Sequence, residues 1–109
     1  MKATFKERSI YFSPLLAFKA GLSVGSRVFL FSIKGSGEYA FHKADKEMED
    51  AGMFVSHVRI TPDGKLYITP VSPPVALITA SMRLSYKNKA TIKVEKSKVR
   101  NMNIFIFKK

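Results

Sequence analysis

Ser9-Ile10-Tyr11-Phe12-Ser13-Pro14 returns later in the chain as Lys65-Leu66-Tyr67-Ile68-Thr69-Pro70, at an offset close to half of the 109 residues. Self-similarity at a fixed offset is the first thing to read in a sequence, because each copy marks one supersecondary unit. In both copies apolar residues alternate with polar ones, the period of a half-buried strand, so Ile10, Phe12, Leu66 and Ile68 are expected to face inward and Tyr11 and Tyr67 outward. Upstream of each copy lies a hairpin pattern. Ala3-Thr4-Phe5 leads through a polar turn at Lys6 to Arg8, and Val58-Arg59-Ile60-Thr61 leads through Pro62-Asp63-Gly64. The second turn is the stronger signal: Pro presets φ, Asp caps through its side chain, and Gly accepts the positive φ that rejoins the strands.

Downstream, each copy continues into a short apolar segment sized for one or two helical turns, Pro14 to Gly21 and Pro74 to Met82. Strand patterns follow over Arg27 to Ile33 and Glu38 to His42, joined by Gly35-Ser36-Gly37, and over Ala90 to Lys96 and Asn103 to Phe107, joined by a basic turn. The unit is hairpin, short helix, hairpin, and it occurs twice. A single domain over residues 1–109 is expected, with unit 1 at about 1–43, a linker at 44–54 and unit 2 at about 55–109. The linker alternates charges from Lys43 and reads as an exposed segment or short helix ending at Gly52. Two such units bury most apolar surface by sharing one core, so the expected fold is mainly β, a small barrel with pseudo-twofold symmetry.

Ile10-Tyr11-Phe12-Ser13 through Gly21-Leu22-Ser23-Val24-Gly25-Ser26-Arg27-Val28-Phe29 resembles the second half of the AbrB/MazE/SpoVT swapped-hairpin pattern, in which a strand and a proline-started helix lead to Gly-Leu-x-x-Gly-Asp-x-Val. Asp63-Gly64-Lys65-Leu66-Tyr67-Ile68 resembles the complementary first half. The matched pieces cover roughly a third of the chain. Members of that family are usually dimers of one unit that bind DNA, so the resemblance implies a fused dimer of the cradle-loop barrel type. The departures bear on function: the proline after the strand falls on Ser13 and Thr69, the Asp of Gly-Asp on Ser26, and the helix Arg that often meets DNA on Ala17 and Pro73. Lys65 alone carries over a basic position of the DNA-binding hairpin.

Charge points the same way by a separate route. The chain has 19 Lys and Arg against 8 Asp and Glu, a net charge of +11, with a 46% hydrophobic content that excludes a disordered basic tail. Residues 83–109 hold nine basic side chains and one acidic, whereas residues 35–65 hold four basic and six acidic. A field of one sign over part of a surface attracts polyanions. The basic cluster Lys87, Lys89, Lys93, Lys96, Lys98 and Arg100 lies on and around the last hairpin, where Thr91, Lys93 and Glu95 share one face and Ile92 and Val94 the other. A two-stranded ribbon fits a major groove and its lysines would meet phosphates. Lys65 and Arg59, on the hairpin that resembles the family's DNA-reading element, form a rival docking surface, and Arg8 is a further nucleic-acid-binding candidate. With few Arg and no cluster of Asn or Gln, weak sequence preference is expected.

Nine Phe and four Tyr raise a single-strand reading, in which exposed rings stack on bases. Phe29 and Phe31 alternate with Val28 and Leu30, and Phe105 and Phe107 with Ile104 and Ile106, and these rings are assigned to the core. Tyr11, Tyr67 and Tyr86 are the stacking candidates. The expected partner is DNA, duplex favoured over single-stranded; the alternative is a protein-interaction module docking on an acidic surface of a nucleic-acid machine.

Enzyme chemistry has thin ingredients. His42 and His57 lack an acid at ligand or triad spacing, and Asp45, Glu47, Glu49 and Asp50 lack the Gly and terminal Glu of a calcium loop. Gly35-Ser36-Gly37 precedes a strand, not the helix of a phosphate loop. No catalytic residue, metal or cofactor is expected. Absence of Cys fits a reducing compartment, and no stretch reads as a signal peptide or membrane span, so the expected location is cytoplasmic.

Overall fold

The computed structural model describes residues 1–84 and 89–109. In chain order these form β1 (Lys2–Lys6), β2 (Ser9–Phe12), α1 (Pro14–Ala20), β3 (Arg27–Ser32), β4 (Tyr39–Ala44), α2 (Lys46–Asp50), β5 (Ser56–His57), β6 (Arg59–Ile60), β7 (Leu66–Ile68), α3 (Val75–Ser81), β8 (Lys89–Val99) and β9 (Met102–Lys108). The fold is mainly β. All nine described strands join one antiparallel sheet in the order β5-β3-β4-β9-β8-β1-β2-β7-β6.

The two strands at the ends of that order are consecutive in the chain, with only Val58 between them. Val58 donates its N–H to Ser26 O at 2.8 Å and its carbonyl accepts from Gly25 N–H at 2.8 Å, so the bent segment 56–60 brings the sheet to near closure as a barrel. Inward-facing side chains fill the interior as alternation dictates: Phe5 from β1, Ile10 from β2, Val28 from β3, Phe41 from β4, Ile68 from β7, and Phe105 and Phe107 from β9 are fully buried. Phe41 stacks on Phe105 with ring centroids 5.3 Å apart, and Phe5 meets Phe107 edge-on at 5.3 Å. Such aromatic contacts add about 0.5–1.5 kcal/mol each beyond the area they bury.

The helices start and stop where local chemistry directs. Ser13 caps α1 by accepting from Leu16 N–H, Pro14 sits in the first turn, and Gly21 ends the helix at φ 69, a left-handed conformation open to glycine at little cost. Leu16, Ala17 and Ala20 face the core. α3 turns Val75, Ile78 and Thr79 inward, and the expected linker holds α2, capped by Asp45 through Met48 N–H. No helix among the described residues is long and apolar enough to cross a membrane.

The structure changes one expectation about the core. β3 is apolar on both sides, and its inward residues are Val28 and Leu30, whereas Phe29 and Phe31 lie on the outer side, half-buried, stacked at 6.0 Å and flanking His42. Their cross-strand partners His42 and Ala40 are buried beneath them, and His42 Nδ1 lies 3.0 Å from Lys43 O. Phe105 and Phe107 occupy the core as expected.

Candidate nucleic-acid interface

In an antiparallel sheet, residues directly opposite each other point to the same side. The register therefore assembles the outer face of β6, β7, β2, β1 and β8 row by row. Arg59 lies opposite Tyr67, Tyr67 opposite Tyr11, Tyr11 opposite Thr4, and Thr4 opposite Thr91, which gives one row across five strands. On one side of it Lys2 lies opposite Lys93, and the Lys2 backbone bonds Ser13 just after β2, in line with Lys65 just before β7. On the other side Lys6 lies opposite both Ser9 and Lys89. Two residues of strand separate successive rows, so the two lysine rows lie about 14 Å apart with the tyrosines midway.

Each strand reaches this arrangement through alternation. Ala3 and Phe5 of β1 are buried while Lys2 and Lys6 are exposed, and Ile92 of β8 is buried while Lys89 and Lys93 are exposed. The middle of the face is fixed by side-chain pairs. Tyr11 and Tyr67 stack with centroids 5.2 Å apart and planes 28° from parallel, the Thr4 and Thr91 hydroxyls lie 2.9 Å apart, and Ser9 and Thr69 lie 2.8 Å apart. A depression of about 410 Å³ opens here, lined by Lys2, Thr4, Lys6, Tyr11, Lys65 and Lys89, with Asp63 also in its wall.

The acidic residues nearest in sequence, Glu7, Asp63 and Glu95, sit in flanking turns and further along β8. Asp63 is occupied locally. It accepts from the Thr61 hydroxyl and lies 4.0 Å from Lys65 Nζ, and the Thr61 hydrogen bond, ahead of its own backbone N–H and the Lys65 charge, holds its carboxyl below the usual range. The face thus presents Lys2, Lys6, Arg59, Lys65, Lys89 and Lys93 around an aromatic centre. Acidic side chains concentrate on the other arc of the sheet, where Glu49 of α2 meets Arg27 Nε at 2.8 Å and His57 Nε2 at 3.0 Å.

Of the basic residues singled out from sequence, Lys65, Arg59, Lys89 and Lys93 come together here, as do Tyr11 and Tyr67. Arg8 is exposed in the turn between β1 and β2. Lys96 and Lys98 lie opposite Phe105 and Asn103, so they point to the other side of the β8–β9 ribbon from Lys93. Arg100 occupies the tight turn at the ribbon tip with φ 49. The expected single basic face of the last hairpin is therefore divided between two sides. Tyr86 and Lys87 lie outside the described residues. Sequence reasoning missed Lys2 and Lys6, although Lys2-Ala3-Thr4-Phe5-Lys6 carries the signal as basic and hydroxyl residues alternating with apolar ones.

The histidine expectation also needs correcting, since folding brings His57 to Glu49 across seven intervening residues. Together with Arg27, the three form an ion-paired anchor of α2 to β3 and β5. No group of three or more His, Asp or Glu side chains suited to a metal occurs among the described residues. The chain matches no protein-family model, no curated protein and no solved structure, and the chemistry of the lysine–tyrosine face is what points to its function.

Proposed function

We propose that this chain is a small basic DNA-binding protein, regulatory or architectural, that meets phosphates through the outer face of β6, β7, β2, β1 and β8. The observation that carries this reading is the pair of lysine rows, Lys65, Lys2 and Lys93 on one side and Lys6 and Lys89 on the other, on a face where Asp63 is held by Thr61 and Lys65. Lysines held at fixed strand spacing suit a repeating anion, and each phosphate neutralised releases condensed counterions. The Thr and Ser hydroxyls between them are paired to each other, which favours weak base preference.

By the same reading the barrel is an internal duplication with swapped hairpins. Exchanging β1, β2, β3 and β4 with β6, β7, β8 and β9, and counting β5 with β6 as one bent strand, maps each neighbour pair of the sheet order onto another. The Tyr11–Tyr67 pair then falls on the local axis, and β1 of the first half pairs with β8 of the second. That arrangement is in keeping with the AbrB-type resemblance of the two sequence copies.

The test is a titration with DNA at two salt concentrations, comparing the parent chain with a Lys2→Ala/Lys6→Ala/Lys89→Ala/Lys93→Ala variant. The variant is expected to bind more weakly across sequences, with the slope of log affinity against log salt flattened by roughly 0.7–0.9 for each phosphate no longer neutralised. Lys96→Ala/Lys98→Ala/Arg100→Ala is expected to leave the slope nearly unchanged. A parent that binds no nucleic acid at low salt overturns the proposal and leaves the face to an acidic protein partner.

A further inference from the structure

Resting on the nucleic-acid reading, we infer that the ligand of this face is a single strand, with its phosphates on the lysine rows and its bases laid against the Tyr11–Tyr67 stack. Width decides first against a duplex read in its groove. Five strands at about 4.8 Å spacing make a face about 19 Å across, whereas the major groove is about 12 Å wide. A face of this breadth on the outside of a barrel stays out of the groove and touches a duplex only at its phosphates.

The position of the rings decides second. Tyr11 and Tyr67 stand in the middle row, between the two lysine rows, where a duplex offers no base face. A strand with unpaired bases offers one at every nucleotide. A stack of two rings has an outer face at each end, and in the row order Thr4 is next to Tyr11 and Arg59 next to Tyr67. A base can stack on the part of each half-buried ring left open, with Arg59 next to Tyr67 in the row and lysines two residues along the strands. Stacking tolerates any base because every base has a π-face. The mutual pairing of Thr4 with Thr91 and Ser9 with Thr69 leaves little to enforce a preference.

The test uses the whole chain and three fluorescent probes at one ionic strength: a short oligothymidylate, an abasic oligonucleotide of the same phosphate count, and a duplex of the same length. The oligothymidylate is expected to bind at least about tenfold more tightly than the abasic strand, the scale of stacking one base on an aromatic side chain. Tyr11→Ala/Tyr67→Ala is expected to remove that advantage and leave abasic binding unchanged, while Tyr11→Phe/Tyr67→Phe retains it. Equal affinity for thymidylate and abasic strands, tighter binding of the duplex, or failure of the Phe variant overturns the inference while phosphate binding stands. The abasic comparison needs no variant, so misfolding of the Ala protein cannot hide the answer. Absence of binding to all three probes at low salt defeats the nucleic-acid reading itself.

Discussion

Glu49 is one carboxylate shared by two partners, Arg27 Nε at 2.8 Å and His57 Nε2 at 3.0 Å. The Arg27 hydrogen bond, and after it the charges of His57 and Arg27, hold its carboxyl below the ordinary value of 4.5 despite some desolvation. A depressed folded-state value means the pair stabilises the fold above the unfolded value and that this contribution disappears as pH falls through the folded one. The stability difference between the parent and Glu49→Gln is therefore expected to shrink as pH is lowered below about 4.5, and an NMR titration of the Glu49 carboxyl should move upward in Arg27→Leu. Residue-scale geometry also explains Arg100. Arg100 and Asn101 both take positive φ, 49 and 66, in the two-residue turn between Val99 and Met102, a conformation that a tight hairpin demands whatever the side chain does. Charge made Arg100 conspicuous in the sequence, but the turn geometry accounts for its place in the fold.

At the scale of elements, Ser13 joins three of them. It follows β2, its Oγ accepts from Leu16 N–H of α1 at 3.2 Å, and the same Oγ accepts from Lys2 N–H of β1 at 3.2 Å. α3 has no such side-chain cap, since Pro74 stands at the equivalent position. Ser13→Ala is expected to cost about 1 kcal/mol, lowering the thermal midpoint by several degrees, as calorimetry would register. The elements themselves were largely readable. Thr61 to Lys65 forms the expected turn, with Gly64 at φ 89 and Lys65 N–H donating to Thr61 Oγ1, and β2 shows its alternation, whereas in β7 Leu66 and Tyr67 are both half-buried. Direction was not readable where both faces are apolar: Val28-Phe29-Leu30-Phe31 has no polar residue to mark the outside. β8 runs to Val99, beyond the expected Lys96, because β9 supplies a partner for every residue from Lys93 on, and that partner is invisible in a local window.

The molecule as a whole is held by pairings between distant parts of the chain, such as Thr4 with Thr91, and these explain why the candidate face was only half legible. Lys89 and Lys93 drew notice through the dense charge around them, yet nothing near Lys2 and Lys6 signals that β1 will lie beside β8. Closure depends on Val58, buried to 2% exposure and bonded through both backbone groups to the segment before β3. Val58→Ala is expected to cost about 1–3 kcal/mol and to lower the denaturation midpoint in a single transition seen alike by circular dichroism and tyrosine fluorescence. The bent segment has a second effect, on how copies of the protein behave when crowded together. A sheet's unpaired border is a template on which another chain can add a strand, and long flat borders seed aggregates. Here the two terminal strands of the order belong to one short stretch of chain, and each half of it, Ser56–His57 or Arg59–Ile60, offers only two residues. A foreign strand finds few backbone groups to hold on to at either of these two strands.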